Sequence, residues 1–176
     1  LILDGWTAAG NPVLVAGVAY QDYTATVNNQ LLTLRVSKDI NLLTPNMGTG
    51  TDNTIAGNSA SEFIDAGAGN DSVNAGDGND VVRGGLGNDT LDGGTGLNTI
   101  DYSDNTQPVI VNLGSGSVSG TINGASVTVS SGFAQSTSDG LDSLTNFSNI
   151  YGSSSSDILV GDATANLIAG GRGDDT

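Results

Sequence analysis

Three stretches follow one another without a gap: Ala66-Gly-Ala-Gly-Asn-Asp-Ser-Val-Asn74, Ala75-Gly-Asp-Gly-Asn-Asp-Val-Val-Arg83 and Gly84-Gly-Leu-Gly-Asn-Asp-Thr-Leu-Asp92. A fourth, Gly93-Gly-Thr-Gly-Leu-Asn-Thr-Ile-Asp101, keeps the frame but sets Asn98 where Asp71, Asp80 and Asp89 stand. The eighth position of each nonapeptide is apolar, and the beat extends upstream: Ile55, Ile64, Val73, Val82, Leu91 and Ile100. A fixed period of this kind marks a repeat architecture in which each unit buries its apolar residue only against its neighbours. The rungs at 48–56 and 57–65 keep that apolar residue but carry Asn53 and Glu62 at the acidic position.

The unit reads Gly-Gly-x-Gly-x-Asp-x-U-x, with U apolar. Glycines at the first, second and fourth positions permit positive φ and hence a tight turn whose carbonyls can face one point. The Asp adds a charged oxygen, and the last three residues form a short strand with U directed inward. Main-chain and carboxylate oxygens without nitrogen or sulfur suit Ca²⁺; Mg²⁺ fits less well, because it resists full dehydration. The alternative is a metal-free Asx turn, and it stays open above all for the Asn53 and Glu62 rungs.

The period breaks over 102–151, which is rich in Ser, Gly and Thr, with strand-like stretches at Val109–Leu113 and Ser126–Val129 and a turn at Asn123-Gly124. It resumes in Gly152–Val160 (Asp157, Leu159) and Gly161–Ala169 (Asn166, Ile168), then runs from Gly170 to Thr176 with Asp175 at the acidic position. A motif cut before its apolar residue leads us to expect further repeats downstream. Residues 1–47 differ: three glycines, near-zero charge, and alternation in Tyr23–Val27 and Leu32–Ser37 around Asn28-Asn29, which predicts a β-hairpin. Val13 to Tyr20 reads as a further strand. The expected organisation is a β segment at 1–47, a repeat block at 48–101, a β-rich insert at 102–151 and the start of a second block at 152–176.

Composition narrows the function. The 176 residues hold 19 acids, all Asp except Glu62, against four Lys and Arg, a formal charge of −15. No Cys and no His exclude thiolate or imidazole zinc sites and the Ser-His-Asp triad. Four scattered cations cannot track a phosphate backbone, so no nucleic-acid partner is expected. No apolar run is long enough to span a bilayer as a helix, and no charged n-region precedes an apolar stretch. Neither G-x-S-x-G nor H-E-x-x-H occurs, and carboxylates sharing a cation are poor glycosidase acids, so we expect no enzyme here. Asp65, Asp92 and Asp101 read as solvated surface acids, and Arg83 and Arg172 as offsets to nearby negative charge. Trp6, Tyr20 and Tyr23 read as core or subunit contacts rather than a sugar platform.

The repeats at 66–101 and 152–176 resemble the RTX nonapeptides of haemolysin-type calcium-binding proteins. The resemblance implies an all-β fold, a parallel β-roll wound as a right-handed solenoid with two nonapeptides per turn. It also implies that loops two repeats apart stack on one edge and hold several Ca²⁺ ions between them. Carried over by position, Asp71 pairs with Asp89, Asp80 with Asn98 and Asp157 with Asp175. Carbonyls of Gly67, Gly69, Gly76, Gly78, Gly85 and Gly87 supply most remaining ligands, and Glu62 with Asp80 and Asn53 with Asp71 are further candidates. The site containing Asn98 is expected to be weaker. Asp139-Gly-Leu-Asp-Ser-Leu and its surroundings resemble the irregular inserts between RTX blocks and receive no ligand assignment.

One aliphatic side chain per nine residues is a small core set against the backbone entropy of ordering the unit, and stacked carboxylates repel without a cation. We therefore expect the repeats to fold on binding Ca²⁺ at about 10⁻⁴–10⁻³ M, the range of extracellular modules. The resemblance implies secretion by a one-step (type I) system reading a far C-terminal signal. The absence of Cys fits calcium in the role of staple. The expected protein is an extracellular or cell-surface structural module of adhesin, surface-layer or filament type, with self-assembly or a cell-surface or matrix partner. The alternative is the calcium-folded accessory module of a secreted protease, lipase or polysaccharide epimerase.

Overall fold

In the computed structural model the chain returns to the same place every second repeat, and this return buries the apolar residue of the nine-residue period. The structure describes residues 7–15, 18–27, 30–37 and 46–176. The chain divides into two compact units, Leu1–Thr44 and Pro45–Thr176.

In the first unit, β1 (Thr7–Val15), β2 (Val18–Val27) and β3 (Gln30–Ser37) form an antiparallel sheet in that order. β2 pairs with β3 from Val27↔Gln30 to Tyr20↔Ser37. The Asn28-Asn29 turn itself lies outside the described residues. The run Val13 to Tyr20 is not one strand: β1 ends at Val15, β2 starts at Val18, and Val15 pairs antiparallel with Val18. A period-two pattern cannot see a chain reversal that keeps the alternation going, and Gly17 was the only local cue.

The second unit is a parallel β-roll with no helix among the described residues. Its strands are β4 (Asn46–Met47), β5 (Thr54–Ala56), β6 (Phe63–Asp65), β7 (Ser72–Asn74), β8 (Val81–Arg83), β9 (Thr90–Asp92), β10 (Thr99–Asp101), β11 (Val109–Asn112), β12 (Val118–Ile122), β13 (Ala125–Val129), β14 (Phe133–Ser136), β15 (Leu141–Thr145), β16 (Asn149–Tyr151), β17 (Ile158–Val160) and β18 (Ile168–Ala169). Alternate rungs go to opposite sheets, one ordered β18-β16-β10-β8-β6-β4 and the other β17-β11-β14-β15-β9-β7-β5. Register is 18 residues per turn, as in Val73↔Leu91 and Ile64↔Val82. Ile64, Val73, Val82, Leu91 and Ile100 are all buried and meet in one core, with Ile55 packed at its margin. Each three-residue strand has its middle side chain inside, as a period of two requires.

The insert does not leave the coil. β15 stacks parallel on β9, with Leu144 opposite Leu91, and β16 stacks on β10, with Ile150 opposite Ile100. Residues 137–151 are thus two further rungs, displaced by the chain between them. β14 runs antiparallel to both β15 and β11 and so carries the sheet onward to β17. β11 is buried on both faces: Val109 and Val111 join the main core, while Ile110 lies under the β12–β13 hairpin with Ile122 and Val129. That hairpin turns at Asn123-Gly124, both at positive φ, as the sequence suggested.

Asp101 is not a solvated surface acid. It is buried and accepts a bond from Arg83 Nη2 at 2.7 Å. Arg83 also faces Asp65 at 3.8 Å and Asp104 at 3.3 Å, with its guanidinium 5.4 Å from the Phe63 ring centre. Parallel stacking of β6, β8 and β10 at the ninth position puts one cation between two acids, a relation invisible at nine-residue spacing. Arg83 offsets negative charge as expected.

Candidate metal centre

The loops between strands form two edges, and on each edge the sixth-position side chains make a continuous ladder. On one edge Asp71 Oδ1 accepts the Asn53 amide at 2.7 Å, Asp89 Oδ1 the Asp71 amide at 2.8 Å, and Asp142 Oδ1 the Asp89 amide at 3.0 Å. On the other, Asp80 Oδ1 accepts the Glu62 amide at 2.8 Å and Asn98 Oδ1 the Asp80 amide at 3.0 Å. Further along the first edge, Asp157 Oδ1 accepts the Val109 amide and Asp175 Oδ1 the Asp157 amide, both at 2.9 Å. The members of each pair expected from sequence therefore lie one turn apart and in contact. Asp71, Asp80, Asp89, Asn98 and Asp157 are buried; Asp175 is exposed.

The second oxygens differ. Oδ2 of Asp71, of Asp80 and of Asp89 is buried and accepts no hydrogen bond. An unsatisfied buried carboxylate oxygen costs free energy unless a cation or proton meets it. Burial pushes the Asp89 carboxyl up to about 6, partly opposed by its bond from the Asp71 amide, with the Asp71 charge adding to the rise. Asp80 and Asp157 are raised for the same first reason, burial. These are acids held in a place that disfavours their charge, which a divalent ion beside them would favour.

Around them the glycine loops pack backbone on backbone. Gly85 has φ +93° and Gly87 φ +129°; a Cβ at either would overlap the carbonyl oxygen of Gly67 or Gly69, one turn below. Gly67, Gly69, Gly76 and Gly78 share the positive φ. The Gly67 and Gly76 carbonyls accept amides of Leu86 and Thr95 at 2.9 and 2.8 Å, whereas those of Gly69, Gly78, Gly85 and Gly87 accept none among the described residues. No three carboxylates converge on one point among the described residues. A cation here must draw most of its shell from the main chain, which Ca²⁺ accepts. The donor set fits that ion: hard oxygens, with one or two carboxylates per gap.

Loops without those glycines close on themselves. The amide of residue two bonds the side chain of residue six: Thr49 to Asn53 Oδ1 at 2.6 Å, Asn58 to Glu62 Oε2 at 2.8 Å and Ser153 to Asp157 Oδ2 at 2.6 Å. Ser153 Oγ also donates to Asp157 Oδ1 at 2.7 Å. Asp157 thus has both oxygens engaged, unlike Asp71, Asp80 and Asp89. Asn98 has no spare oxygen either, since its Nδ2 donates to the Asn146 carbonyl at 3.1 Å.

Two features escaped the sequence reading. Asp142 occupies the acidic position above Asp89, in a rung where Gly140, Asp142 and Leu144 keep the fourth, sixth and eighth positions. The signal was present in Asp139-Gly-Leu-Asp-Ser-Leu, but 35 inserted residues (53 minus 18 in the Asp89–Asp142 and Asp71–Asp89 bonds) put it out of phase. The fifth position forms its own outer ladder: Asn70 amide to Asp52, Asn88 amide to Asn70 and Leu141 amide to Asn88, at 2.8–3.0 Å. Asn was read there only as part of the motif.

No curated protein matches the chain. The family model of the RTX calcium-binding nonapeptide repeat matches residues 47–82, 65–100 and 149–176, the same segments that build the stacked loops. Repeats of this family bind Ca²⁺ at multiple sites. These segments, just under half of the chain, are RTX calcium-binding nonapeptide repeats.

Proposed function

We propose that this calcium-binding module is a structural part of a secreted or cell-surface protein and that its coil folds when it meets extracellular Ca²⁺. The observation that carries the reading is the row of buried, unpartnered Oδ2 atoms on Asp71, Asp80 and Asp89. Asp71 and Asp89, with glycine loops on both sides, form the strongest proposed site, completed by carbonyls of Gly67, Gly69, Gly85 and Gly87. Asp80 and Asn98, with Gly76 and Gly78, form a weaker one, because Asn98 offers a donor where the others have an oxygen. Asp157 and Asp175 are ranked last, since Asp157 is already satisfied by Ser153 and Val109. The chain's own residues orient these oxygens; the ion supplies the positive charge.

Cytosolic calcium lies far below about 10⁻⁴–10⁻³ M, so such a coil would stay open before export and close outside. The absence of Cys, the Ser/Thr-rich strands beside the repeats and the lack of a catalytic motif support an adhesin, surface-layer or filament context. Self-assembly or contact with a cell-surface or matrix component follows from that context. The alternative is an accessory module of a secreted enzyme. No helix among the described residues is long and apolar enough to cross a membrane.

Calorimetric titration of the chain with CaCl₂, read beside circular dichroism, tests the reading. Binding with a concurrent gain of strand signal is expected, and silence at millimolar calcium overturns it. Light scattering in the same titration separates the contexts: ordered assemblies support a layer or filament, and a persistent monomer counts against one.

A further inference from the structure

Asp142 stands in the same ladder as Asp71 and Asp89, yet both of its oxygens are occupied. Oδ1 accepts the Asp89 amide at 3.0 Å, and Oδ2 accepts the Tyr102 hydroxyl at 2.8 Å. Tyr102 is buried, and its amide bonds the Tyr151 carbonyl at 2.9 Å, which fixes the ring against the core. At the neighbouring rungs the corresponding Oδ2 has no partner. A phenol thus does at this rung what a cation must do at the others.

The core beneath this rung is also larger. The apolar side chains that residues 66–92 bury are only Ala66, Val73, Ala75, Val82 and Leu91. The insert buries two faces: Val109, Val111, Leu144 and Phe147 inside the roll, and Ile110 with Ile122 on the other side. Its β14–β15 and β12–β13 pairings are antiparallel and joined by short links, so they close small loops.

We propose that rung 137–145 closes without a cation, with Tyr102 as the substitute, and that β11, β14, β15 and β16 form a calcium-independent platform on which rungs 66–92 coil when calcium binds. The inference rests on the calcium reading above and adds to it the order of assembly. Asp142 is then a hydrogen-bonded closing group rather than a ligand.

Amide hydrogen exchange of the 176-residue chain, with and without excess chelator, tests the platform. With chelator, residues 109–112 and 141–145 are expected to stay protected roughly 100-fold more than 72–74 and 81–83. Loss of protection in both regions overturns the platform while leaving the calcium reading intact. Protection of both overturns the contrast and the calcium-folding reading together. The Asp142→Asn variant, whose amide oxygen still accepts one of the two bonds, should shift the calcium midpoint less than about twofold, whereas Asp89→Asn should raise it by about tenfold or more. Equal shifts overturn the assignment of Asp142. Tyr102→Phe should abolish the chelator-resistant protection of 141–145, and its survival there counts against the substitution by the phenol.

Discussion

At Gly85 the backbone stands at φ +93° and a side chain would run into the Gly67 carbonyl. Gly85→Ala should therefore cost at least about 1–2 kcal/mol from backbone conformation alone, with the steric overlap added, and lower the thermal midpoint measured in calcium. Gly50 has open space around it and no positive φ, so Gly50→Ala is the control and should leave that midpoint unchanged. Protonation acts on the same scale. Asp89 is raised to about 6 and Asp142 to about 7, both first by burial, from an ordinary 3.8. A carboxyl raised on folding binds its proton more tightly in the folded state, so its stabilising effect is present below about 3.8 and is lost as pH rises through 6–7. In excess chelator the chain should thus gain strand signal when taken from pH 7.5 to 5, and a chelated chain that loses structure on acidification contradicts this.

At the scale of elements, Arg83 joins β6, β8 and β10 by bonding Asp101 and facing Asp65 and Asp104. Arg83→Met leaves Asp101 buried and unpaired and should destabilise the folded, calcium-loaded roll by about 3–5 kcal/mol. The double variant with Asp101→Asn should recover part of this in chemical denaturation, because the orphaned charge goes with its partner. If the two losses simply add, the pair carries no coupling. The fifth-position ladder is exposed and repeats along each edge, so Asn88→Ala should cost about 1 kcal/mol.

The whole molecule carries a charge of −15, and its roll stacks carboxylates in register. Calcium removal should therefore cost more than the sum of separate sites, since each ion joins two turns. Replacement of calcium by magnesium at the same millimolar concentration should fail to restore the strand signal, because Mg²⁺ keeps its waters. Recovery with magnesium would point to general charge screening rather than a built site.

The nine-residue beat of Ile64, Val73, Val82, Leu91 and Ile100, with glycines ahead of each Asp, was sufficient to specify a repeat of short strands joined by oxygen-rich turns, and the family resemblance added the β-roll. The strands and turns follow from local rules: which backbone angles glycine permits, and which face of a short strand is apolar. Other features arise only when residues 18 or 53 apart are brought into contact. The turn-to-turn stacking leaves Oδ2 of Asp71, Asp80 and Asp89 bare while closing Asp157 with Ser153. It also buries Asp101 against Arg83 and places Asp142 in the ladder under Tyr102. A sequence pattern records what each position can do, whereas the satisfaction of a buried oxygen depends on what the next turn of the coil sets beside it.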